Sequence, residues 1–124
     1  MIIVRRRWEY MSDCVFCKIA NKEIDADIIY EDQHLVVFKD LKPASPVHLL
    51  IIPKKHYPSL LELNGDDFEI TGRINAAAVR IARDMGFVEK GFRLVCNCGS
   101  DGGQVVNHLH YHLLAGRELQ WPPG

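Results

Sequence analysis

From residue 70 onward the apolar positions fall at Ile70, Ile74, Ala77, Ala78, Ile81 and Met85, in steps of four, three, one, three and four. That spacing lays one apolar stripe along a helix. Asn64 or Asp66 can cap its start, and Gly86 stands where a helix-terminating glycine belongs. Elsewhere the period shortens. Ile28–Glu31 and Leu35–Lys39 are β-rich runs on either side of Asp32-Gln33-His34 and predict a hairpin. Lys42–Pro46 is a proline-bearing loop, and His48–Ile52 reads as a buried strand that Pro53 ends. Phe92–Asn97 and Val105–Leu114 predict two further strands around a flexible Gly99–Gly103 turn, and Val15–Asn21 a short helix. One main helix among hairpin-forming strands predicts an α+β fold on an antiparallel sheet.

Length and composition narrow the picture. The 124 residues are one domain's worth of chain, and an apolar fraction of 48% can build a core without disulfides. Lys and Arg number 15 against 16 Asp and Glu, which argues against a nucleic-acid partner held by a basic surface. Apolar runs such as Val47–Ile52, broken by His48, are too short to cross a bilayer, so no membrane partner is expected. Met1–Val4 is apolar and Arg5–Arg7 follows it, the reverse of a secretory signal. A reduced, cytoplasmic setting is therefore expected. Met11-Ser12-Asp13 reads as a natural start. Residues 1–10 are expected to be an N-terminal extension or expression remnant, loosely attached, ahead of a domain over 11–124.

The candidate chemistry sits in a few scarce residues. In a strand, His108, His110 and His112 share one face, while Leu109, Tyr111 and Leu113 take the other. Such a row suits a metal site or imidazole catalysis. The preceding Gly99–Gly103 turn can present backbone N–H groups to an anion. An imidazole row beside such a turn suits a phosphoryl centre, where imidazole attacks phosphorus and donors hold the oxygens. Cys14-x-x-Cys17 has metal-ligand spacing, with histidines available to complete a Cys₂His₂ set. Reduced buried cysteines beside hydrogen-bonded histidines are the alternative. Cys96 and Cys98 share one side of their strand and read as packing residues, and His34 as surface.

His108-Leu109-His110-Tyr111-His112-Leu113-Leu114 resembles the motif of the histidine-triad family. Phe16-Cys17-Lys18-Ile19, Ile51-Ile52-Pro53-Lys54-Lys55-His56, Ser100-Asp101-Gly102-Gly103-Gln104 and Trp121-Pro122-Pro123-Gly124 extend the resemblance over residues 13–124. They point to its nucleotide-binding branch of purine nucleoside phosphoramidases. The resemblance implies an antiparallel sheet of about five strands with one main helix and a short N-terminal helix, extended across a homodimer. It implies hydrolysis at the α-phosphorus through a nucleotidyl intermediate on His110, assisted by His112 and His48, with His108 a further candidate.

By position, Asp40 would hold the ribose. Val15, Phe16, Ile19, Phe38 and Leu41 would line the base pocket, and Asn97 and the Gly103 N–H would lie near the phosphate. Val105 departs from the branch, which has serine there, so one polar contact near the scissile bond is missing. Relatives also suggest a structural zinc on Cys14, Cys17, His56 and His108, which would remove His108 from proton chemistry. The expected ligand is a small purine nucleotide, an AMP or GMP derivative. Trp121 would lie near the active site of the partner protomer. Two other readings remain: a dinucleoside polyphosphate hydrolase, and a non-catalytic, zinc-stabilised nucleotide-binding module. Histidine rather than glutamine at position 112 argues against a nucleotidyl transferase.

Overall fold

The computed structural model describes residues 10–124. The expected loose extension lies outside the described residues except for Tyr10, whose hydroxyl donates to the Glu23 carboxylate at 2.6 Å.

The elements run in the order α1 (Val15–Ala20), β1 (Ile28–Glu31), β2 (Leu35–Lys39), β3 (Val47–Pro53), two single 3-10 turns, α2 (Glu69–Met85), β4 (Arg93–Val95) and β5 (Tyr111–Ala115). Five strands form one antiparallel sheet in the order β1-β2-β3-β5-β4. The β1–β2 hairpin closes as its sequence demands: the Asp32 carboxylate accepts the N–H groups of His34 and Leu35 at 2.7 and 2.8 Å, an Asx turn. Asn64 begins the 3-10 turn that leads into α2, with its N–H donated to the Asp67 carboxylate at 3.1 Å. Gly86 ends α2 at φ 80°, a left-handed conformation that costs glycine little.

β2 and β3 are buried on both faces, so each splits its alternate residues between two cores. Leu35, Val37, Leu49, Ile51 and Leu113 pack under α2 against Ile70, Ile74, Ala77, Ala78 and Ile81. Val36, Phe38, Leu50 and Ile52 face the other way, against Phe16, Ile19 and Ala20 of α1. Both faces are apolar because a helix covers each. Met85 leaves the predicted stripe: it is 44% exposed, on the last turn of α2.

Two strands are shorter than their sequences suggest. Regular pairing of β5 begins at Tyr111 rather than Val105. Extending the β3–β5 register would set Leu109 against Pro53. Pro53 has no N–H, and its carbonyl faces the His108 imidazole at 2.8 Å instead. Leu109 makes a single bond to the Tyr57 carbonyl, at 2.6 Å. The alternation survives without the ladder, because Leu109 and Leu113 join the α2 core while His110 and His112 face the cleft on the α1 side. β4 stops at Val95, before the chain turns into the glycine loop and Asn97 donates to the Gly102 carbonyl at 2.6 Å.

One row of facing residues crosses the sheet beneath α1: His112 on β5, Leu50 on β3, Phe38 on β2 and Ile28 on β1. Three strand spacings separate its ends, about 14 Å. This row floors the functional cleft.

Candidate active site

The partners of each imidazole fix where its proton sits. The Ala44 N–H donates to His48 Nδ1 at 2.9 Å, so that nitrogen is an acceptor and neutral His48 carries its proton on Nε2. His48 Nε2 lies 2.9 Å from His112 Nδ1 and 3.4 Å from an Asp40 carboxylate oxygen. His48 therefore donates to His112 Nδ1, and His112 keeps its own proton on Nε2. His110 Nδ1 lies 2.7 Å from the His108 carbonyl oxygen, which can only accept. Its proton is on Nδ1 and its lone pair is on Nε2. The loop after β2 thus sets the tautomer of His48, and through it that of His112, while the backbone before β5 sets that of His110.

His110 and His112 line a cleft of about 640 Å³ between α1, the β1–β2 end of the sheet and the glycine loop. His48 stands behind His112 with its side chain 7% exposed. The Phe16 ring meets His110 edge-on, with centroids 5.1 Å apart, and His112 lies 5.2 Å from His110. Burial pushes the His112 pKa below its ordinary value; His110 and His48 push the same way, and Asp40 opposes them.

The cleft brings together Val15, Phe16, Ile19, Phe38, Asp40, Leu41, Asn97, Gly103 and Val105, all marked by the resemblance. Leu41 and Val105 stand out as exposed apolar side chains at its mouth, 97% and 90% accessible. One expectation changes. The Gly103 N–H is not offered to the cleft but closes the turn onto the Ser100 carbonyl at 3.1 Å. Tight closure forces this: Gly103 sits at φ 81°, and a side chain at Gly102 would collide with the Cys98 carbonyl. Gln104 pins the loop, accepting from the Gly99 N–H at 3.1 Å and donating to the Pro58 carbonyl at 2.7 Å.

Sequence reasoning missed the Asp40–His48 contact and the lining by Ile24, Asp25, Ala26 and Asp27. The hairpin register held a clue to the second, since pairing Ile28 with Phe38 brings the residues before β1 to the cleft's end.

A second cluster lies just behind the first. Cys14 Sγ, Cys17 Sγ, His56 Nδ1 and His108 Nδ1 all lie within 4.8 Å of one another. His108 Nδ1 is 3.4 Å from Cys14 Sγ, 3.5 Å from Cys17 Sγ and 3.2 Å from His56 Nδ1, and Cys17 Sγ is 3.3 Å from His56 Nδ1. Zinc, bonded at about 2.0 Å to nitrogen and 2.3 Å to sulfur, sets tetrahedral ligands roughly 3.3–3.8 Å apart. The donors are also oriented for a metal. His108 Nε2 donates to the Pro53 carbonyl, which leaves the Nδ1 lone pair facing the sulfurs. The Met11 and Cys17 N–H groups point at Cys17 Sγ and Cys14 Sγ, both at 3.4 Å, as they would toward thiolates. Burial lowers the His108 pKa to about 4, which keeps the imidazole neutral as a ligand must be. Cys96 packs in the α2 core, where burial raises its thiol to about 11.

The family model for the C-terminal binding region of the scavenger mRNA decapping enzyme matches residues 13–120. A HIT-like protein of Synechocystis is 46% identical over 112 residues, covering 90% of this chain and 97% of its own. The crystal structure of a HIT family hydrolase from Legionella pneumophila is similar at 48% identity with a TM-score of 0.88, covering 90% of this chain and all of that one. A zinc-bound histidine triad family protein from Mycobacterium smegmatis is similar at 30% identity with a TM-score of 0.73, covering 85% of this chain and 76% of that one. With the imidazole row, the five-stranded sheet and these likenesses in agreement, the chain belongs to the histidine-triad (HIT) family.

Proposed function

We propose that the protein is a nucleotide hydrolase that cleaves purine nucleoside 5′-phosphoramidates at the α-phosphorus through a nucleotidyl-His110 intermediate. The observation that carries this reading is the tautomer of His110. Its Nδ1–H is held by the His108 carbonyl, so the Nε2 lone pair is free to attack. In the first step the His110 Nε2–P bond forms and the P–N bond to the amine breaks. The amine leaves with the His112 Nε2 proton, and the negative charge left on His112 is offset by the cationic nucleotidyl-His110 ring beside it and by the His48 N–H donated to His112 Nδ1. In the second step a water oxygen bonds to phosphorus, the P–Nε2 pair returns to His110, and a water proton restores His112. Asp40 holds the ribose hydroxyls, and the apolar wall of Phe16, Ile19 and Phe38 covers the base.

Zinc on Cys14, Cys17, His56 and His108 is part of the proposal, as a structural ion. It ties α1 to the end of β3 and to the segment before β5, and so fixes the His108 carbonyl that orients His110. Its thiolates require a reducing compartment, which supports the cytoplasmic reading. Homodimerisation is proposed through the main helix and a strand edge; the outer edge of β4 has no neighbour among the described residues. Trp121, 80% exposed, would then reach the partner's cleft.

Two expected results follow from the cleft. Val105 offers no hydrogen bond at the scissile end, so Val105→Ser should raise kcat on adenosine phosphoramidate by about threefold to tenfold, one hydrogen bond's worth. Unchanged or lower turnover would contradict that account of the mouth. A neutral His112 is needed to accept from His48. Because its pKa is lowered, the His112 imidazole should stay neutral as pH falls through 6.5 and gain its second proton only at lower pH, as followed by its NMR ring-proton shifts. The class of substrate is tested by a panel of purine phosphoramidates, acyl-nucleotides and diadenosine polyphosphates. The phosphoramidates should give the highest kcat/KM, and a preference for the polyphosphates would overturn the assignment.

A further inference from the structure

We propose that the Asp25 carboxylate reads the base, so that the cleft selects guanine over adenine; this rests on the nucleotide reading above. The imidazoles fix the phosphorus end of the cleft on β5. The floor row then runs from His112 through Leu50 and Phe38 to Ile28, about 14 Å away. A phosphate, a ribose and a base laid in line along that floor place the base at β1, under the segment that leads into Ile28.

The charged side chains there are Asp25, Asp27 and Lys39. Asp27 is already answered by the Lys39 ammonium, 3.4 Å away. Asp25 makes no hydrogen bond or ion pair with any described residue, and its oxygens are left for a ligand. An ionised carboxylate can only accept. Guanine presents N1–H and N2–H side by side, a matched pair of donors for two carboxylate oxygens. Adenine presents one N6–H beside the N1 lone pair, which repels the second oxygen. Hypoxanthine presents N1–H alone and falls between them. Asp25 is exposed, so water competes and the discrimination is modest, about tenfold.

The test is calorimetric binding of GMP, IMP and AMP to the full chain and to Asp25→Ala, with kcat/KM for the guanosine and adenosine phosphoramidates measured in parallel. The wild type should bind in the order GMP, IMP, AMP, with about tenfold between the ends. In Asp25→Ala, GMP affinity should fall and AMP affinity rise until the two agree within about twofold. Equal affinities in the wild type, or a guanine preference that survives Asp25→Ala, overturn the inference and leave the hydrolase reading standing. Base-selective binding with no hydrolysis would do the reverse. Failure to bind any of the three would overturn both.

Discussion

His110→Ala is expected to lower kcat on adenosine phosphoramidate by roughly 10⁴-fold or more, while AMP still binds within about tenfold of the wild-type affinity. The loss is large because the nucleophile has no substitute in the cleft. His112 Nδ1 accepts from His48, and its Nε2 carries a proton. His108 is turned toward the cysteines, with its other nitrogen on the Pro53 carbonyl. Affinity survives because the base wall and Asp40 do not depend on His110. A variant that retained more than about a hundredth of wild-type kcat would mean that water, not imidazole, attacks phosphorus.

Removing zinc is the second change with a large expected effect. The purified protein should contain one zinc per chain. Stripping it with a chelator should lower the melting temperature by about 10 °C or more, corresponding to roughly 3 kcal/mol or more for a domain of this size. The cost arises because these four side chains join three separate segments: α1 with its preceding residue Cys14, the Pro53–His56 corner and the segment before β5. His56→Ala should bind zinc weakly and melt at a similarly reduced temperature. Hydrolysis should fall with it, since the His108 backbone orients His110. Protein that is isolated without metal, and whose melting temperature a chelator does not move, would leave the cluster as hydrogen-bonded thiols and imidazoles.

Much of this was legible in the chain. The hairpin appears at the bounds its β-rich runs give, because Asp32 supplies its own turn chemistry. The main helix follows its apolar stripe, except at Met85, which is 44% exposed on the last turn. The histidine alternation also holds, although the segment before Tyr111 is not regular strand. Periodicity reports which side a residue faces, whereas strand pairing needs free groups on the neighbour, and Pro53 has none to offer there. Side-chain partners set by the path of a loop were not legible. The turn over residues 40–48, and not residue type, brings the Ala44 N–H to His48 Nδ1 and Asp40 to the same ring. The Gly103 N–H was expected to face an anion, because the need to close the turn onto Ser100 is a property of the folded loop. Position by position, resemblance marked the cleft walls near the imidazoles but passed over Asp25, whose place depends on the β1–β2 register.

The covalent role of His110 is tested most directly by mass spectrometry of the enzyme quenched into alkaline denaturant during turnover of an adenosine phosphoramidate. The predicted result is a chain carrying one adenylyl group, mapped to His110 and absent from His110→Ala. Rapid turnover with no adduct at any sampled time, or an adduct mapped to His112 or His48, would contradict it.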